Sequence, residues 1–180
     1  MNFGIIIQAR TDSNRFPTKV LQKIHEKPLL WHVIERCKLL NILIIVATTK
    51  RKIDDPIVEI SNSCNVNSFR GSTDDVLDRF YNAARKFSLD GIIRVTGDCP
   101  LIDPIESNKV LKKLATGKFQ YVGLNEKNYP DGLDTEGFTF KSLQSAWKNT
   151  RLQSQREHVT PYLKDPLNNF KICIIDSKEN

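Results

Sequence analysis

No stretch of about 18 apolar residues occurs in the 180-residue chain, which argues against a membrane-spanning helix. The opening MNFGIIIQAR lacks the basic start and long apolar stretch of a secretory leader, because Gln8 and Arg10 arrive too soon. Its first apolar segment therefore reads as part of the fold. Four cysteines, Cys37, Cys64, Cys99 and Cys173, are scattered without CxxC or Cys/His spacing, so neither a metal knuckle nor a disulfide framework is expected. They read as reduced thiols of a cytoplasmic protein. Repeats, low-complexity tracts and Gly/Ser linkers are also missing, and residues 1–180 read as a single domain of sufficient length for one core.

Positive charge is what the chain has in excess. Against 21 Asp and Glu stand 27 Lys and Arg, a net charge of +6, which suits an anionic partner. The cations are not interleaved with aromatics, and no RNP or helix-turn-helix pattern occurs. A phosphorylated small molecule is thus expected rather than nucleic acid.

Apolar runs at 4–9 (GIIIQA), 42–48 (ILIIVAT) and 91–96 (GIIRVT) read as strands buried on both faces. Shorter strands are expected at 66–69, 119–124 and 170–175. Between them lie helical patterns, beginning with Leu29, Leu30, Val33, Ile34, Cys37 and Leu40 after Pro28. Asp54 and Asp55 precede Pro56 as cap and first turn of the next helix, and Ser72 or Thr73 is expected to cap the helix of Val76, Leu77, Phe80, Ala83, Ala84 and Phe87. Further helices are expected near 104–116, with Asp103 as cap, and near 141–149 and 154–163. This alternation predicts an α/β fold, Rossmann-like, with a mostly parallel sheet and helices on both faces.

Ligands of such sheets bind beyond the carboxyl ends of the strands. Three polar segments fall there: Gln8 to Lys19, Arg70 to Arg79 and Gly97 to Asp103. The first carries Arg10, Arg15 and Lys19, and guanidinium groups grip phosphate oxygens in a forked way. Ser13 and Asn14 suit a tight turn, and Pro17 stiffens the approach to Lys19. The segment has neither GxGxxG nor GxxxxGK[ST], so it fits neither a dinucleotide fingerprint nor a P-loop. Asp98, at the end of a strand in GDCPLID, is a carboxylate suited to Mg²⁺, which keeps its waters and takes further ligands from substrate phosphates.

Five blocks in order, IIIQARTDSNRFPTKVL (5–21), RGSTDDVLDR (70–79), VTGDCPLIDP (95–104), YPDGLDTE (129–136) and REHVTPY (156–162), resemble the cytidylyltransferases of the spore-coat polysaccharide biosynthesis protein F type. These are relatives of the acylneuraminate and 3-deoxy-manno-octulosonate cytidylyltransferases. The resemblance implies a nucleotide-diphospho-sugar transferase fold of the GT-A kind. It also implies CTP as donor, Mg²⁺ as cofactor, and transfer of CMP to a sugar acid or phosphorylated acceptor in surface-polysaccharide or related biosynthesis. Carried over by position, Ala9 and Arg10 approach the nucleotide, with Arg10, Arg15 and Lys19 on its phosphates. Arg10 and Lys19 would be the catalytic cations. Gly71, Ser72 and Asp75 fall near cytosine and ribose, and Asp98 holds the metal. Asp134, Glu136, Arg156 and His158 fall on the acceptor side, with a subunit contact as the alternative for the last two. Relatives often pair, so a homodimer contact is sought in residues 125–165.

Two departures accompany the resemblance. Related loops often have glycine where Asp12 and Thr18 stand, and Asp12 is expected to face solvent or an arginine. Relatives also continue past Asp176 into a segment with a further metal-binding aspartate. Two rivals remain at this stage: a glycosyltransferase on the same fold, for which D-T-E (134–136) is the only spacing like a D-x-D metal pair, and a non-catalytic nucleotide-binding module.

Overall fold

The computed structural model describes residues 1–12, 16–125, 127–130, 132–133 and 135–176. Strand β1 (Phe3–Gln8) is followed by a small hairpin, β2 (Lys23–Ile24) and β3 (Lys27–Pro28), and then by α1 (Leu29–Lys38). Next come β4 (Leu43–Thr49), α2 (Asp55–Ser63), β5 (Asn67–Gly71), α3 (Val76–Lys86) and β6 (Gly91–Thr96). The remainder comprises α4 (Pro104–Ala115), β7 (Tyr121–Leu124), β8 (Glu136–Thr139), α5 (Phe140–Asn149), α6 (Gln153–His158), α7 (Pro161–Lys164) and β9 (Ile172–Ile175).

Seven strands form one sheet in the order β5-β4-β1-β6-β8-β7-β9, the Rossmann-like α/β sheet that the alternation predicts. β1 is parallel to both β4 and β6, and β8 alone is antiparallel to its neighbours. A short connection after β7 leaves no room for the crossover a parallel return requires. The unbroken Ile run of β1 is explained by its two-sided burial. Ile5 and Ile7 join the cluster built on α1, α2 and α4, while Ile6 joins the one built on α3 and α5. No described helix is long and apolar enough to cross a membrane.

Several local expectations shift. Asp75, not Ser72 or Thr73, caps α3, accepting from the Asp78 amide at 2.8 Å, while Ser72 Oγ accepts from the Asp75 amide at 3.1 Å. Asp54 precedes α2 but makes no capping hydrogen bond. Asp103 does cap α4 through the Ile105 amide at 2.7 Å. The expected helix 154–163 is broken in two: Val159 lies at φ 69°, ψ −54°, and the Thr160 amide donates to the His158 carbonyl at 2.8 Å. That is a γ-turn of the rarer, strained hand, after which Pro161 restarts the helix at its first position.

Candidate active site

The chain runs outward from β1 to β4 and β5, then returns to β6 on the other side of β1. This reversal opens a crevice beyond the carboxyl ends of β1 and β6. Gln8, Ala9, Arg10, Lys19, Val20, Val76, Arg79, Gly97, Asp98, Glu157 and His158 line the cleft there. Gly97 lets the two strand ends close together. Its amide donates to the Gln8 carbonyl at 2.8 Å, and a Cβ at Gly97 would lie 2.9 Å from that oxygen.

The loop that leaves β1 is tied at both ends. Thr11, which is buried, donates from its amide (2.8 Å) and its hydroxyl (2.7 Å) to Asp54 Oδ1. Its carbonyl accepts from the Thr18 amide at 2.7 Å. Thr18 takes the left-handed conformation at φ 56°, the one glycine adopts freely, so threonine follows a glycine-like path there. Asp12 pairs with Arg51 at 2.7 Å, as its setting beside so many cations requires. Ser13, Asn14 and Arg15 lie outside the described residues.

Lys19 Nζ donates to Asp98 Oδ2 across the cleft. Burial works against the Asp98 carboxylate, but the hydrogen bond and charge of Lys19 outweigh it and hold its pKa below the ordinary value. Among the described residues Arg10 pairs with Glu157, at 3.8 Å, in a half-exposed contact worth little in water. The described residues contain no cluster of three acid, histidine or cysteine ligands. Among the described residues Asp98 thus stands outside any three-ligand cluster, a donor set that fits Mg²⁺ completing its shell with water and phosphate and does not fit a fully protein-caged ion.

Arg79, the last residue of the second polar segment and given no role by its sequence position, is 1% exposed and lines the same cleft. Its Nη1 donates to the Ser72 carbonyl at 2.6 Å, its buried Nε has no partner, and no carboxylate pairs with it among the described residues. Burial, and then the like charge of Arg10, push its pKa down to about 10. The signal was present in the sequence: an arginine inside the apolar stripe of α3, three residues after Val76 and four before Ala83.

Gly71 packs beneath Arg79, where a Cβ would lie 2.9 Å from Arg79 Cγ. With Ser72, it borders a neighbouring groove beside Lys50 and Arg70 rather than the cleft itself. Asp75 accepts from Arg156 Nε at 2.6 Å, and Arg156 Nη1 also donates to the carbonyls of Trp147 (3.2 Å) and Thr150 (3.1 Å). Arg156 lines neither the cleft nor the adjoining cavity. It clamps α6 onto the start of α3.

That adjoining cavity is lined by Arg94, Tyr121, Leu124, Thr135, Glu136, His158, Thr160, Pro161 and Lys164, so His158 borders both spaces. Glu136 is 7% exposed, and its carboxylate accepts from Tyr121 (2.7 Å), Thr160 (2.9 Å), Lys164 (3.1 Å) and Arg94. Burial opposes its charge, but Arg94 and Lys164 overcome this and lower its pKa. Arg94 Nε reaches back to Gln8 Oε1 at 3.2 Å, linking the cavity to the cleft. Asp134 lies outside the described residues.

The sheet order and the crevice at its switch point define the class, a Rossmann-like α/β protein with a ligand crevice at the strand ends. Comparison with known proteins narrows this. The Cytidylyltransferase family model matches residues 4–179. An uncharacterized protein of Methanocaldococcus jannaschii is 48% identical over 176 residues, which are 97% of this chain and 72% of that relative. The 3-deoxy-manno-octulosonate cytidylyltransferase of Trichlorobacter lovleyi is 37% identical over 114 residues, 62% of this chain and 44% of that enzyme. The solved structure of a cytidylyltransferase from Leptospira borgpetersenii superposes with a TM-score of 0.91 at 31% identity, covering 99% of this chain and 77% of that one. The chain belongs to the cytidylyltransferase family, enzymes that use CTP as a nucleotidyl donor.

Proposed function

We propose that this protein transfers CMP from CTP to a sugar acid, releasing pyrophosphate, with the triphosphate in the Arg10–Lys19 cleft and the acceptor in the cavity beside Glu136. The observation that carries this reading is Arg79: a buried guanidinium without an acid partner among the described residues, in a cleft that Arg10 and Lys19 already make positive. An uncompensated buried charge is costly, and an anionic ligand removes that cost. The T. lovleyi relative bears the name of a sugar-acid cytidylyltransferase, and the second cavity offers an acid group two cations, Arg94 and Lys164, against one carboxylate.

An acceptor oxygen would attack the α-phosphorus in line as the pyrophosphate oxygen leaves. Arg10 and Lys19 would stabilise the charge growing on the phosphoryl group, positioned before reaction rather than reorganised during it. Arg79 would neutralise the bound nucleotide from below. Asp98 would hold Mg²⁺, which supplies further neutralisation of the phosphates. Lys19 would then exchange Asp98 for phosphate oxygens. Ala9, Gly71, Ser72 and Asp75 would shape the nucleoside end: Gly71 and Ser72 through the strand-to-helix loop held by Arg79, Asp75 through the α3 cap.

The test is a pyrophosphate-release screen with CTP and Mg²⁺ against sugar acids, 3-deoxy-manno-octulosonate among them, and against sugar phosphates. Release that needs CTP and one of the acids is the expected result. Release with the phosphates alone would overturn the acceptor assignment, and equal use of ATP or UTP would overturn the donor.

A further inference from the structure

We infer that Asp54 is a positioning residue for the two phosphate-facing cations, acting through Thr11 on both ends of the loop that carries them. The inference rests on reading the Arg10–Lys19 cleft as the triphosphate site. In sequence Asp54 looks like a helix cap, yet neither of its oxygens serves α2. It is 0% exposed, with Oδ1 filled by the Thr11 amide and hydroxyl and Oδ2 by the Thr49 hydroxyl. A fully buried carboxylate is retained only when such donors hold it charged. Here burial raises its pKa, but the Thr49 and Thr11 hydrogen bonds bring it below the ordinary value.

The placement of Thr11 gives the contact its reach. While Asp54 holds the amide and hydroxyl of Thr11, its carbonyl holds the Thr18 amide at 2.7 Å. Arg10 is the residue before this clasp and Lys19 the residue after it. One buried carboxylate thereby fixes the departure point of both cations, and β4, which ends at Thr49, provides the rigid base. The segment around Asp54 is itself braced. Arg70 donates to the Thr49 carbonyl (2.8 Å), the Arg51 carbonyl (2.7 Å) and Asp55 (2.5 Å). A misplacement of about 1 Å in a catalytic group costs about 100-fold in rate, so loosening the clasp is expected to act mainly on turnover.

Asp54→Asn keeps the shape and removes the charge, while Thr11→Val removes one hydroxyl at nearly constant volume. Each is expected to lower turnover in pyrophosphate release by about 10- to 100-fold, with KM for CTP changed far less, and Thr11→Ser is expected to recover most of the loss. In a Lys19→Ala, Arg10→Ala background, the Asp54→Asn effect should shrink to about threefold or less, because the residues it acts through are gone. Full activity of folded Asp54→Asn, or an undiminished effect in the cation-free background, would overturn the inference. If Asp54→Asn does not fold, the Thr11→Val and Thr11→Ser pair decides in the same way. Hydrogen exchange of the Thr18 amide gives a readout free of any substrate. It should quicken in Thr11→Val, and unchanged protection there would sink the clasp. If the wild type binds no CTP, the functional reading fails, while the exchange result still stands or falls alone.

Discussion

Lys19 and Asp98, 79 residues apart in sequence, share a hydrogen bond across the mouth of the cleft. The cation proposed for the phosphates and the carboxylate proposed for the metal thus satisfy each other, and binding of nucleotide would exchange this pair for two new ones.

Lys19→Ala is accordingly expected to lower pyrophosphate release by roughly 10²–10³, the size of a lost transition-state donor. Steady-state kinetics with CTP and the identified acceptor measure it. Turnover equal to wild type would remove Lys19 from the chemistry.

Arg79→Met should separate stability from binding. Replacing a buried charge that lacks an acid partner among the described residues by an apolar side chain of similar length is expected to leave the melting temperature unchanged or raise it. CTP affinity should fall at least tenfold in calorimetry. A lower melting temperature with intact affinity would instead make Arg79 a brace for the Ser72 loop.

Removing the Asp75 side chain deletes a helix cap and the Arg156 clamp together. Loss of a cap costs about 1 kcal/mol, or about 2–4 °C of melting temperature for a chain of this size. Asp75→Ala should show at least that drop. Arg156→Ala keeps the cap and frees α6, so it should raise KM for the acceptor through His158 with a smaller thermal penalty. Identical profiles for the two variants would argue against separate roles.

Acid should weaken the fold through Glu136. Its folded pKa lies below the ordinary glutamate value of 4.5, so its contribution is complete above about pH 4.5 and is lost as pH falls through the folded value. Denaturant unfolding between pH 6 and 3 should therefore show falling stability, with a shallower slope in Glu136→Gln. That variant should also be less stable at neutral pH, where Arg94 and Lys164 lose the Glu136 charge. Equal slopes would mean that other carboxylates carry the acid sensitivity. Asp54 and Asp98, whose values are also lowered, have the same sign.

The strands were legible because burial on both faces leaves its mark in runs such as IIIQ and IIVAT. The crevice was legible because ligand loops follow strand ends. What escaped depends on pairing between distant residues. Asp54 and Asp75 both precede helices, and local rules cannot tell that one caps while the other turns toward Thr11, 43 positions away. The reversed direction of β8, set by the short connection after β7, and the break after His158, set by the turn at Val159, are features that periodicity does not report. Arg79 was visible as a charge out of place on an apolar stripe, an anomaly that propensity rules pass over.

The strained turn at Val159 ends α6 at His158, so one residue borders both the cleft and the adjoining cavity. Nucleotide and acceptor, filling the two spaces as proposed, would therefore meet at this one residue, and a change at position 158 would reach both of them.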